Sequence, residues 1–448
     1  MRSILVLLPA FAVTAVAQQV PTKTLARPAA EYDEPFSSLN SLRELKDGRL
    51  IVSDIRDKTL QLIDLASGRA TPIGREGSGP AEWGLPRRVL AMPGDSTYVF
   101  DLLNSRFLVV GPDGRAVRTF SPAAEAAMQT VTRGGGGDGA RGGAGVGAGG
   151  GRGAAGAGGG ARGGPMRMVA SFGGSGLLAA RATDARGRLY FTGMPVSLGP
   201  DGQLHQADSV PILRQSLGAT SPDTVAFVQL ATGSAAVSGS QNNMQIRIGG
   251  GRPFENGDEW TVFPDGRVAI ARVADYRVDI VQPNRQLLRG TPVRYSPVRV
   301  TEADKRQWRE AQRNTMAFSM SVDGRGSGAP QRSVQTGRPA GAIDEPAEWP
   351  EVKSPFPGES VWAAPSGETW VFRSRAANDR IPAADVFDAR GRLVGRVVMP
   401  AGSRLVALGA RGVYAVRIDE DDLQYLQRYA LQWENCTPEL AENCRAAR

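Results

Sequence analysis

Along most of the chain, apolar and polar positions alternate over short distances, and one arrangement recurs. Residues 47–54, DGRLIVSD, place a turn of small polar residues before a run of apolar and β-branched ones. Close variants occupy 94–101 (GDSTYVFD), 186–193 (RGRLYFTG), 265–272 (DGRVAIAR), 366–373 (SGETWVFR) and 410–417 (ARGVYAVR). An apolar run after a Gly-containing turn predicts a strand leaving a tight hairpin, because Gly reaches positive φ without steric cost. In the first copy a further run lies upstream at 41–45 and another downstream at 60–65, followed by RATPIG at 69–74. The second copy repeats this order at 89–92, 98–101, 107–110 and 116–120, with a Pro-Asp-Gly turn at 112–114. Each copy reads as four short antiparallel strands.

A four-stranded meander cannot bury both faces alone, so the copies must stack, and radial stacking gives an all-β fold, a six-bladed β-propeller of four-stranded antiparallel blades. The second-strand motifs are separated by 47, 92, 79, 101 and 44 residues, so the short intervals are the unit and the long ones contain insertions. Residues 131–165 contain 19 glycines and are predicted to be a disordered insertion. Residues 301–347 read as a helix followed by a flexible stretch, with Thr301 as the cap and Asp304 three residues later. Residues 222–250 read as extra strands or a seventh, irregular blade. The last copy runs out of chain before a fourth strand, and 22–28, TKTLARP, are expected to supply it and close the ring.

The ends and the charge narrow the setting. Met1 and Arg2, an apolar core at 4–16 and Ala15-Val16-Ala17 describe a signal peptide over 1–17, so the propeller should span 18–432 of an exported, periplasmic or extracellular protein with no transmembrane segment after cleavage. Cys436 and Cys444, the only cysteines, fall in a tail at 433–448 and can form a disulfide in an oxidising compartment. The net charge of +8 suggests phosphate-rich partners, but four arginines against one aspartate in the Gly-rich insertion supply +3 of it, and export argues against nucleic acid.

Chemistry is scarce. His205 is the single histidine, so a multi-histidine zinc site cannot be built and a Ser-His-carboxylate triad would depend on this one residue, which reads as loop. Gly145, Gly147 and Gly150 match a dinucleotide fingerprint only inside low-complexity sequence, with no strand before them. The eighth position of the repeated motif is Asp54, Asp101, Gly193, Arg272, Arg373 and, one residue short, Arg417. In a ring these would share one end, acidic on one side and arginine-rich on the other, a candidate pocket for an anionic group. The alternatives are that the aspartates cap turns and the arginines pair with acids of neighbouring blades. Glu82 and Trp83, in the long connection at 74–86, are candidate partner-binding residues, with packing of Trp83 over a blade edge as the alternative.

The stretch from 74 to 120, with its Gly-rich loop, the apolar strand after Pro86, the D-x-x-N-x-R turn at Asp101, Asn104 and Arg106, and the PDG turn, resembles an NHL-type repeat of exported, TolB-like six-bladed propeller proteins. The resemblance covers 37–122 and 348–432 best, and it implies fold more than function. Related propellers include calcium-dependent lactonases, metal-dependent lyases and binding platforms. The expected function is therefore non-catalytic binding, by a monomer without cofactor or metal, of a protein partner or small anionic ligand through inter-blade loops or the central funnel. The competing expectation is a lactonase- or esterase-like hydrolase whose funnel carboxylates hold Ca2+.

Overall fold

Every residue of the strand Leu50–Asp54 is buried, because this strand lies inside its sheet with another sheet packed on each face. Leu50 and Val52 join one apolar cluster with residues of the last blade, while Ile51 joins another with residues of the second blade. The same division recurs at Val413 and Ala415 against Tyr414 and Val416. Two-sided burial is why these strands read as continuous apolar runs rather than alternating ones. The turns also repeat: Gly48 has φ +92° and donates its N–H to Leu45 at 2.9 Å, and Gly266 and Gly367 have φ of +89° and +102° at the same place in their hairpins.

A computed structural model describes residues 20–120, 180–193, 196–198, 204–219, 221–231, 235–240, 243–248, 252–314, 317–323, 331–337, 346 and 348–431. It contains six antiparallel four-stranded blades in a ring. Their first strands are Leu39–Glu44, Pro86–Ala91, Ala182–Thr183, Glu259–Val262, Val361–Ala363 and Ser403–Gly409, and each of these contacts the next around the axis, the sixth touching the first. They therefore line a central channel. Six apolar clusters fill the six seams between adjacent blades, so the core is a ring of interfaces rather than a single centre.

Closure uses the N-terminal segment, but in a different register from the expected one. Thr22–Thr24 pairs in parallel with Leu393–Val398 and adds a fifth strand to blade 5. The missing fourth strand of blade 6 is Ala30–Glu31, antiparallel to Gln424–Tyr429. Tyr32 and Phe36 follow it into the cluster that joins blade 6 to blade 1. The physical reason is that this segment is long enough to bridge two blades, with Leu25 anchored among blade 5 and 6 residues on the way.

First strands begin and second strands end at one end of the ring, here called the upper end: Leu39 lies opposite Asp54, Pro86 opposite Asp101 and Ser403 opposite Arg417. The long blade-to-blade connections arrive there too. Residues 223–229 form the fourth strand of blade 3 rather than an extra element. Ala235–Ser240 and Asn243–Ile248 join Ala317–Asp323 and Gln331–Gly337 in a separate sheet built from two insertions, so 235–248 are extra strands rather than a seventh blade of the ring. The helix Glu302–Asn314 forms as expected, with Thr301 and Asp304 capping each other reciprocally. The segment read as a signal peptide, the Gly-rich insertion and the cysteine tail lie outside the described residues.

Candidate functional site

Asp54 and Asp101 hold the upper ends of their blades together rather than facing the channel. Asp54 accepts the backbone N–H groups of Ser38, Arg56 and Asp57 at 2.8–3.0 Å. Asp101, fully buried, accepts Gly84 and Leu85 N–H at 2.9 and 3.0 Å and Asn104 Nδ2 at 2.7 Å, with Arg106 at 3.4 Å. Carboxylates saturated in this way have few lone pairs left for a metal ion. Asp101→Ala should cost about 2–4 kcal/mol, because the buried Gly84 N–H and the partly buried Leu85 N–H and Asn104 amide lose their acceptor. Urea denaturation checks this, and a change under about 1 kcal/mol would mean that water replaces the carboxylate.

The arginine positions divide. Arg272 is neutralised by Asp258 at 2.8 Å and Asp279 at 2.9 Å, and Arg417 pairs with Glu31 at 3.0 Å and stacks over Tyr425. Arg373 lies 3.7 Å from Asp385 and also lines the channel. Each acid belongs to the arginine's own blade rather than to a neighbour: Asp279 and Asp385 sit on an adjacent strand, Asp258 just before the first strand, and Glu31 on the outer strand, two strands from Arg417. Burial pushes the Asp279 carboxyl up, but hydrogen bonds from Arg277 and Arg272 outweigh it and hold it below its ordinary range. An inter-blade contact of another kind does occur: the buried Tyr276 hydroxyl donates to Asp385 at 2.7 Å, and burial, then that carboxylate, push the phenol well above its ordinary range.

Trp83 is buried between blades 1 and 2, and its indole N–H donates to the Ile73 carbonyl at 2.9 Å, so it packs at the seam. Glu82 folds its own loop, accepting Gly79 N–H at 2.8 Å and Arg75 at 2.7 Å; these bonds hold its carboxyl below the ordinary range. His205 lies in the short strand Leu204–Gln206, opposite Ser197, rather than in a loop.

A concave feature of the described residues is the channel itself, a cavity of about 880 Å³ lined by residues of all six first strands. Seven arginines border it: Arg87, Arg88, Arg181, Arg373, Arg375, Arg380 and Arg404, against two acidic residues, Glu359 and Asp379. Arg181 is paired with Glu259 across the seam between blades 3 and 4 and lies over the Trp260 ring. Arg88 meets Glu359 at 3.4 Å. Burial pushes the Arg88 guanidinium below its ordinary range; Glu359 opposes this, and Arg181 and Arg87 reinforce it. Among the described residues Arg87, Arg375, Arg380 and Arg404 have no carboxylate at ion-pair distance; Arg375 and Arg404 donate only to neutral oxygens, those of Asp379, Leu39 and Gln424. The sequence reading found Arg373 but missed the others. For Arg87, Arg88, Arg181 and Arg404 the one visible signal was basic residues at the start of three of the six first strands; Arg375 and Arg380, between Thr369–Phe372 and Ala383–Phe387, had none.

Among the described residues no three His, Cys, Asp or Glu side chains gather as a metal cage. The helix Glu302–Asn314 lies at the channel mouth, where Gln307 lines both the channel and a side pocket of about 240 Å³ shared with Phe254, Lys353 and Arg375. No helix of the described residues is long and apolar enough to cross a membrane.

No protein-family model matches the sequence, and no curated protein matches it. Solved structures resemble it in outline. A duf4221-family protein from Bacteroides vulgatus shares 8% identity over 91% of this chain and 96% of its own, with a TM-score of 0.42. A calcium-binding protein, regucalcin, from Agrobacterium tumefaciens shares 12% over 92% and 98%, at 0.32. A gluconolactonase from Xanthomonas campestris shares 10% over 92% and 97%, at 0.34. Likenesses this loose carry no activity across, and the six-bladed ring rests on the strand ladders themselves.

Proposed function

We propose that this protein is an exported, monomeric binding propeller that takes a small anionic ligand at the upper mouth of its central channel. The observation that carries the reading is the set of four arginines, Arg87, Arg375, Arg380 and Arg404, that border the cavity without a carboxylate partner. Uncompensated guanidinium groups in a concave site raise the local potential and present paired donors suited to carboxylate or phosphate. A calcium-dependent hydrolase fits less well: Asp54 and Asp101 are engaged by backbone donors, and the arginines repel a cation.

The test is a thermal-shift and calorimetric panel on the mature chain with citrate, gluconate and inorganic phosphate at low salt. At least one anion should raise Tm in a concentration-dependent way, with affinity falling as salt is added. Arg87→Ser with Arg404→Ser should weaken it by about 10–100-fold, the value of one to two charge-assisted hydrogen bonds. Binding indifferent to both substitutions, or no binding by any anion, would overturn the reading.

A further inference from the structure

The channel arginines form two groups on opposite sides of the ring. Arg87, Arg88 and Arg181 come from blades 2 and 3, whereas Arg373, Arg375, Arg380 and Arg404 come from blades 5 and 6. Blades 2 and 5 stand opposite each other in a ring of six. Glu359 belongs to the connection entering blade 5, yet its carboxylate reaches Arg88 of blade 2, spanning the mouth. That side chain is 74% exposed, and its backbone is held at φ +56°, a left-handed conformation uncommon for a residue other than Gly. The chain's own structure thus marks a place for an anion beside Arg88, filled by a solvent-exposed carboxylate that an incoming group can displace. When Glu359 withdraws, Arg88 and Arg87 both lack a counter-charge on one side, while Arg375, Arg380 and Arg404 lack one on the other. One acid group cannot neutralise both sides at once.

We infer that the ligand carries two acid groups on a short spacer: one replaces the Glu359 carboxylate at Arg88, beside Arg87 and Arg181, and the other is held across the mouth by Arg375, Arg380 and Arg404. This inference rests on the anion-binding reading of the channel and specifies its ligand class. Glu359 is then an internal competitor. An exposed ion pair is weak, so its loss frees Arg88 at small cost to the fold.

Isothermal titration of the mature chain at low salt with acetate, malonate, succinate, glutarate and adipate, and in parallel with inorganic phosphate and pyrophosphate, tests it. At least one two-headed probe should bind about 30-fold or more tighter than its single-headed counterpart, with an optimum spacer among the dicarboxylates, and the two series distinguish carboxylate from phosphate heads. Glu359→Gln should tighten that probe about two- to fivefold, the range an exposed ion pair allows, and Arg88→Gln should weaken it about tenfold or more. Equal affinity for single- and two-headed probes would overturn the two-headed ligand while leaving anion binding intact. Weaker binding by Glu359→Gln would overturn Glu359 as a competitor and with it this inference. Failure of every probe to bind would overturn the anion reading beneath it.

Discussion

A chain that begins at residue 37 is expected to lose its cooperative fold, although the truncation removes no second or third strand of any blade. Leu25, Tyr32 and Phe36 are each at most 5% exposed, and the last two lie inside the seam between blades 6 and 1. At about 1.5–3 kcal/mol for each fully buried side chain, the three contribute roughly 5–9 kcal/mol, comparable with the whole stability of a typical domain. The segment also bonds by its backbone to both flanking blades: Leu25 N–H to Val398 at 2.9 Å, Tyr32 N–H to Leu426 at 2.8 Å, and Phe36 with Gln424 in both directions. Its loss exposes the edges of blades 5 and 6 and weakens the single seam that closes the ring. Circular dichroism melts of chains starting at 18 and at 37 check this, with Phe36→Ala as a milder variant expected to cost about 3–5 kcal/mol. A truncated chain melting cooperatively within about 3 °C of the parent, a shift worth about 2 kcal/mol for a domain of this size and well short of the expected loss, would mean the ring closes without this segment.

Lys353→Met is expected to have the second-largest effect and to act on the mouth of the channel. Lys353 Nζ bonds Asp304 Oδ1 and the Arg375 carbonyl, each at 2.6 Å, and lies over the Phe254 ring; Asp304 is fully buried at the first turn of the helix Glu302–Asn314. Removing the ammonium strands a buried carboxylate, which typically costs about 3–5 kcal/mol, enough to detach the helix from the blade. Hydrogen exchange over 301–312 should rise sharply in the variant, and the double substitution with Asp304→Asn should recover much of the loss. Burial pushes the Asp304 carboxyl up from its ordinary 3.8, but hydrogen bonds from Lys353 and Thr301 outweigh it and hold the group lower. Since the folded value is depressed, the stabilisation is complete above the ordinary value and is lost as pH falls through the folded one. In the parent protein, exchange over the helix should therefore rise only below about pH 4, where the unfolded carboxyl begins to bind protons. Unchanged exchange in both experiments would mean that the helix is held by contacts other than this pair.

The candidate site was partly legible. Arg373 was visible because it ends a repeated motif, and repetition places equivalent residues at one end of a ring. Arg272 and Arg417 occupy the same motif position, yet each is claimed by an acid on another strand of its own blade, Asp279 and Glu31, and motif position alone cannot distinguish a paired guanidinium from a free one. Arg87, Arg181 and Arg404 carry no motif. They matter because Arg87 and Arg404 lie on first strands and Arg181 immediately precedes one; these are the strands that approach the axis, and which strand of a meander is innermost depends on how the blades pack.

The sequence by itself determined the number of blades and the second strand of each, because two-sided burial imposes an apolar run and a positive-φ turn that recur wherever the structure recurs. It also determined the capped helix, whose Thr301 and Asp304 interact over a single turn. The tertiary structure decided the pairings between distant segments: Thr22–Thr24 with blade 5, Ala30–Glu31 with blade 6, and the strand Asn243–Ile248 with Ala317–Asp323. A β-bridge satisfies the same backbone groups whichever partner supplies them, so short polar strands do not specify their neighbours. The charge balance of the channel was decided at the same level, since Arg88 and Glu359, 271 residues apart, meet only once the ring has closed.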